Sequence, residues 1–280
     1  MMKPIRTIAV LPTLFTLGNL VCGFFAIVVA ANLERPTALV ESVAHADTRH
    51  LLVSGWLIFL AMVFDGLDGQ IARLSKTTSD FGAQLDSLCD LVTFGVAPAF
   101  LVVKMCPRFE FMHRETVWII ATCYVACAAM RLARYNVETA DDHGGDEGYM
   151  HFSGLPSPAA AATIAGFAIM FNTLRSNMDT FLYAVEVDQT LQFILPFIAL
   201  MLALMMVSRI PYPHIMNQVF RGQHSFGHVV AIIFTAVVVA AFRGYSVPIL
   251  CLVFSLSGPA VFLWRMMVRR RKESEQHQDS

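Results

Sequence analysis

Long apolar runs of about 18–23 residues recur along this chain, and a run of that length crosses the hydrocarbon core of a bilayer as an α-helix. Hydropathy places eight of them, at roughly 9–31, 51–73, 82–104, 117–137, 157–174, 190–207, 228–242 and 246–268. The composition agrees. Hydrophobic residues fill 56% of the 280 positions and charged residues 15%, against about 25% charged in a soluble domain. The fold expected is all-α: a polytopic integral membrane helical bundle of about eight transmembrane helices.

Lys and Arg decide which way such a bundle sits. If the helices alternate, Lys3, Arg6, Arg73, Lys76, Arg131, Arg134, Arg209, Arg221 and the run "RMMVRRRK" gather on one side. The opposite side holds Arg35, Arg49, Lys104, Arg108, Arg114, Arg175 and Arg243. This bias puts both termini, and the connection between the second and third helices, in the cytoplasm. The basic start imitates a secretory leader. Its apolar run is too long, however, and no convincing processing site precedes the next span, so it reads as an uncleaved first helix. Residues 1–268 read as one membrane domain without internal repeats, and 269–280 as a basic, polar cytoplasmic tail beside anionic lipid. A net charge of −1 gives no footing for a nucleic-acid partner. The six Cys lie mostly in apolar stretches without metal-finger spacing and read as small hydrophobes.

Against this background one stretch stands apart: "DGLDGQIARLSKTTSDFGAQLDSLCD", residues 65–90. Each Asp at the centre of a membrane helix costs about 2.5–3.5 kcal/mol to insert, so Asp65, Asp68, Asp86 and Asp90 call for a function. Asp65 and Asp68 are three apart near the cytoplasmic end of the second span. Asp86 and Asp90 are four apart near the start of the third. Each pair shares a helix face, and a short connection makes the two helices antiparallel neighbours whose pairs converge. Four carboxylates repel one another unless cations intervene, and oxygen-only ligands suit Mg²⁺, Mn²⁺ or Ca²⁺. Two ions bridged by shared carboxylates balance the charge. Gly66, Gly69 and Gly82 around the acids weaken the helices, which suits either a bulky ligand against the backbone or close helix packing. With Arg73 placed to reach phosphate, the group describes phosphoryl transfer on an amphiphile.

The stretch reads D-x2-D-G-x2-A-R-x8-G-x3-D-x3-D without a departure and resembles the signature of the CDP-alcohol phosphatidyltransferases. The resemblance implies that Asp65, Asp68 and Asp86 bind metal, two ions of Mg²⁺ or Mn²⁺. It implies that Asp90 touches metal as well and is the general base that deprotonates the acceptor alcohol. Gly69, Ala72, Arg73 and Gly82 would line the pocket for the CDP-lipid. The alcohol would then attack the lipid-side phosphorus, and CMP would leave.

The signature leaves the acceptor open. "PTLFTLGNLVCGFFAI" (12–27), "MRLARYNV" (130–137), "FSGLPSPAAAA" (152–162) and "SRIPYPHI" (208–215) together resemble the bacterial membrane-embedded phosphatidylserine synthases of that family. That resemblance implies CDP-diacylglycerol and L-serine as substrates, a homodimer, and a bacterial inner membrane with the active site facing the cytoplasm. Arg131 and Arg134 read either as topology anchors or as ligands for phosphate or the serine carboxylate, which suits a planar guanidinium. Ser79 and Asp80 are candidate neighbours of serine. Ser157 and Arg209 each carry a structural and a substrate-binding reading. So do Thr16 and Asn19, which either bond between helices or touch substrate. Asn136 either bonds substrate or caps a helix. Two rivals remain: the same chemistry on glycerol 3-phosphate or inositol phosphate, and a divalent-cation transporter, which would place its acids near the midplane.

Overall fold

The structure, a computed structural model, describes residues 10–32, 49–75, 80–106, 114–141, 154–176, 184–210 and 243–278. Every regular element among the described residues is helical. α1 covers Val10–Ala31 and α2 covers Arg49–Ser75. α3, Asp80–Asp90, passes without a break into a π-helical turn, Leu91–Val96, and on into α4, Ala97–Met105. α5 spans Arg114–Asp141, α6 Ser157–Ser176 and α7 Ala184–Val207. A short 3-10 turn, Arg243–Tyr245, leads into α8, Ser246–Gln278.

Among the described residues six stretches are long and apolar enough to cross a bilayer: Pro12–Ala31, Arg49–Ile71, Phe81–Met105, Glu115–Glu138, Ser157–Ser176 and Val185–Val207. They coincide with the first six expected spans. The expected span at 246–268 falls on α8, whose apolar part, Ser246–Phe262, is shorter. The one at 228–242 lies outside the described residues. Eight spans is therefore slightly more than the described residues display. Exposed Leu14, Phe24, Trp56, Ile119 and Leu204 form an apolar outer surface of the kind that faces lipid.

α6 is the spine of the bundle. Its sequence "SPAAAATIAGFAIM" carries small side chains all round, so α2, α4, α7 and α8 all approach it. Ala160, Ala161, Ala165 and Ala168 are fully buried. A Cβ on Gly166 would stand 3.0 Å from Pro248, which leaves α8 no room for a larger side chain. Thr163 and Ser255 share a buried hydroxyl–hydroxyl bond of 3.2 Å across the same contact. Lipid tails are as apolar as the helices, so close approach and buried hydrogen bonds hold the bundle together.

The far end of α6 is tied to α7 by a buried polar cluster. Arg175 donates from Nε and Nη2 to the two oxygens of Asp188, at 2.8 and 3.2 Å, and Gln192 Nε2 donates to Asp188 Oδ2 at 2.6 Å. At the other side of the bundle α1 lies along α2 and also meets α3 and the π turn. α2 and α3 make little direct backbone contact. The expected pairing of α2 with α3 is thus modified. α1 braces both, and the two aspartate-bearing helices meet through their side chains.

Candidate active site

Asp65 and Asp68 project from one face of α2, and Asp86 projects toward them from α3. One carboxylate oxygen from each lies within 4.8 Å of the others. Asp68 is buried, while Asp65 and Asp86 are partly so. Asp68 Oδ2 and Asp86 Oδ1 are buried without a hydrogen-bond partner. A buried carboxylate oxygen left unpaired is costly, and a second carboxylate beside it makes matters worse. A divalent cation removes both penalties at once. All donors are hard oxygens, the set that suits Mg²⁺ and Mn²⁺. The three aspartates fit such an ion.

Asp90, the last residue of α3, sits one turn beyond Asp86 and outside that group of three. It is buried and accepts a hydrogen bond from Asn19 Nδ2 at 2.9 Å, within reach of the charges of Asp65 and Asp86. Directly after it the helix widens. In the π turn the N–H of Ala97 returns to the carbonyl of Val92, five residues back, and Tyr124 on α5 donates its buried hydroxyl to the Phe94 carbonyl at 3.3 Å. π turns of this kind are rare and gather at functional sites.

On α5, Arg131 donates to the hydroxyl of Ser157 and feels the charges of Asp90 and Asp65. Arg134, three residues on, donates from Nη1 to the carbonyl of Val207 at 3.0 Å and so ties α5 to the C-terminus of α7. Asn136 accepts from the Ser87 hydroxyl at 3.1 Å and donates toward Gln84 at 3.4 Å, bonding α5 to α3. The loop before α6 is stitched to the end of α7: Gly154 N donates to Ile210 O and Leu155 N to Met205 O, both at 3.0 Å. Gly154 has φ +94°, and a Cβ there would stand 2.5 Å from the Met206 carbonyl. No other residue fits that turn. The described parts of two phrases quoted from the sequence, "GLPSP" (154–158) and "SRI" (208–210), are therefore one joint.

Among the described residues Gly66 and Gly69 face open space, for a Cβ on either would meet none of their atoms within 4 Å. Close packing against the described residues does not account for them; among those residues the α2 surface beside the aspartates is left clear. Gly82 lies in the first turn of α3, partly exposed. Ala72 and Arg73 fall on α2, but their side chains, like that of Asp80, lie outside the described residues, and so does Ser79 entirely. Thr16 donates to Pro12 O within α1 and lies against Asp68. Of the readings left open for Asn19, the bond between helices is the one observed, and it ends on Asp90. Thr93, whose hydroxyl donates to Asn19 O at 3.2 Å, carried no sequence signal.

The family model described as CDP-alcohol phosphatidyltransferase matches residues 9–208. The chain belongs to the CDP-alcohol phosphatidyltransferase family. The match runs from α1 to the end of α7, so Asp65, Asp68, Asp86, Asp90, Asn19, Arg131 and Ser157 all lie within it. Among curated proteins, the chain is similar to the CDP-diacylglycerol–serine O-phosphatidyltransferase of Methanocaldococcus jannaschii. The two are 36% identical over 170 residues, 61% of this chain and 68% of that protein. A protein of the same name from Helicobacter pylori is 31% identical over 213 residues, 75% of each chain. The archaetidylserine synthase of Methanothermobacter thermautotrophicus is 28% identical over 215 residues, 76% of this chain and 73% of that one. Membership in this phosphotransferase family, with six helices among the described residues long and apolar enough to cross a membrane, makes the chain an integral membrane enzyme.

Proposed function

We propose that this enzyme transfers the phosphatidyl group of CDP-diacylglycerol to the hydroxyl of L-serine, giving phosphatidylserine and CMP. The observation that carries the chemistry is the convergence of Asp65, Asp68 and Asp86 with buried, unpaired oxygens, beside a clear glycine surface on α2. The acceptor is supported by the names of the relatives, which recur as serine transferases across bacteria and archaea. In this reading Asp65, Asp68 and Asp86, with Asp90 at the edge, hold two ions of Mg²⁺ or Mn²⁺. When bound, such ions supply the positive charge that offsets the diphosphate and the charge developing on it.

The residues of the chain do the rest. Gly66 and Gly69 leave space for the nucleotide against α2, and Ala72, Arg73 and Gly82 are the further residues assigned to binding the CDP-lipid. Arg131, held by Ser157 and turned toward the acids, offers a planar cation to the serine carboxylate. Arg134 and Ser79 are its further candidates. Asp90 takes the hydroxyl proton of serine as the serine oxygen bonds to the lipid-side phosphorus. The bond from that phosphorus to the CMP oxygen breaks, and CMP leaves with the electron pair. The site works at the cytoplasmic face of a bacterial inner membrane, in a homodimer, with CDP-diacylglycerol arriving laterally through the leaflet.

The test is an assay of purified enzyme with CDP-diacylglycerol, Mg²⁺ or Mn²⁺ and each radiolabelled acceptor in turn. Serine is expected to give labelled lipid and stoichiometric CMP, whereas glycerol 3-phosphate and inositol phosphate give none. Product from either of those and none from serine would overturn the assignment of the acceptor.

A further inference from the structure

Asn19 lies in the middle of the apolar run of α1, is fully buried, and gives an Nδ2 hydrogen to Asp90 Oδ1 at 2.9 Å. A carboxylate accepts and does not donate, so the amide nitrogen is the atom that faces it. The amide oxygen is buried without a partner. Asp90 is thus what the side chain is held by. A second bond fixes the backbone beneath it, for Thr93 Oγ1 donates to the Asn19 carbonyl at 3.2 Å. Thr93 belongs to the π turn that follows Asp90. Its approach depends on Gly23, one turn along α1, where a Cβ would collide with Thr93 Oγ1 and stand 2.8 Å from its Cα. α1 and the α3–π rod therefore exchange two hydrogen bonds that meet at Asn19, one ending on Asp90 and one coming from Thr93, three residues beyond it, across a contact closed by glycine.

We infer that Asn19 is a positioning residue for Asp90: it holds one carboxylate oxygen so that the other faces the acceptor hydroxyl. This rests on the reading of Asp90 as the base. A base acts only within hydrogen-bond reach of the proton it takes, and a carboxylate free to turn about its last torsion spends much of its time misaligned. The Thr93 bond holds the Asn19 backbone, and Asn19 holds Asp90. The α1 helix, which contributes nothing to the aspartate signature, thereby sets the angle of the signature's last member.

Asn19→Leu, Thr93→Val, Thr93→Ser and Asp90→Asn, purified in detergent, separate the alternatives. For each, kcat and KM for both substrates, binding of CDP-diacylglycerol without serine, and the thermal midpoint are measured. Asn19→Leu is expected to lower kcat about ten- to hundredfold, the loss that follows removal of a hydrogen bond to an ionised group, with CDP-lipid binding unchanged. Thr93→Val, which keeps the shape but not the hydroxyl, lowers kcat less, and Thr93→Ser restores it. If Asn19→Leu and Thr93→Val keep full kcat while Asp90→Asn abolishes turnover, positioning by Asn19 is overturned and the base stands. If CDP-lipid binding falls in step with kcat, Asn19 is a general packing residue and the inference fails. Turnover retained by Asp90→Asn would remove the base itself. Should Asn19→Leu not fold, the Thr93→Val and Thr93→Ser pair decides alone, equal kcat in the two counting against the inference.

Discussion

Arg131 on α5 donates to Ser157, the first residue of α6, and this bond holds the guanidinium on the side where Asp65 and Asp90 lie. A cation anchored among acids, yet spent on a neutral hydroxyl, is placed to receive an anion. Arg131→Ala is expected to raise the KM for serine about ten- to hundredfold, the range for losing a charge-assisted hydrogen bond. Arg131→Lys should restore little, because an ammonium does not match a carboxylate with two parallel donors. Ser157→Ala, which frees the guanidinium without removing it, should have a smaller effect. Steady-state kinetics with varied serine reads all three, and an unchanged KM in Arg131→Ala would return this residue to a purely structural role.

The three converging aspartates predict strict dependence on a divalent ion. Chelation should abolish activity, and Mg²⁺ or Mn²⁺ should restore it. Asp65→Asn, Asp68→Asn and Asp86→Asn should each raise the ion concentration needed for half-activation, by about tenfold or more, since each removes a formal charge from a shared site. Asp90→Asn should differ in kind. It should abolish turnover while the CDP-lipid still binds, a contrast that titration calorimetry and activity together reveal.

Two glycines predict opposite outcomes. Gly69→Ala adds a methyl group into open space, so the helix should be stabilised by about 0.5–1 kcal/mol. If the nucleotide lies there, the KM for CDP-diacylglycerol rises nonetheless. Gly154→Ala must strain a φ of +94° and push against the Met206 carbonyl, so it should destabilise the fold by about 1–3 kcal/mol or more. Thermal midpoints in detergent distinguish the two.

At the far end of α6 the buried Arg175–Asp188 pair predicts a loss of stability without a change of mechanism. Asp188→Ala leaves Arg175 and Gln192 buried without their acceptor, which should cost about 3–5 kcal/mol. The fraction that folds should keep the wild-type KM for both substrates. Expression yield, thermal midpoint and kinetics on the monodisperse fraction check this.

The first six spans were legible because membrane crossing demands length and apolarity, and both are local properties of sequence. The convergence of Asp65, Asp68 and Asp86 was legible for a similar reason, since spacings of three and four place groups on one helix face. What was not legible depends on contacts between distant segments. Nothing in "LVTFGV" announces that α3 widens to a π turn there, and the partners that meet it, Tyr124 and Asn19, come from distant segments of the chain. Asn19 was visible as a polar residue out of place, yet its partner was not, for the bond joins residues 71 positions apart. The role of α1 as the brace of α2 and α3 was hidden likewise, because hydropathy reports that helices exist and says little about their neighbours. Arg134 shows the same limit: its bond to the end of α7 depends on a chain reversal that no spacing encodes.

The wide turn at Leu91–Val96 has a geometric effect on the rod that contains it. One residue advances an α-helix by about 100°, so an extra residue accommodated in a single turn rotates everything downstream against everything upstream. Asp86 and Asp90 therefore point in a direction chosen independently of the azimuth at which Ala97–Met105 meets its surroundings. Excising one residue from the turn would do more than shorten the rod; it would spin the acid-bearing half out of alignment while the other half stayed seated.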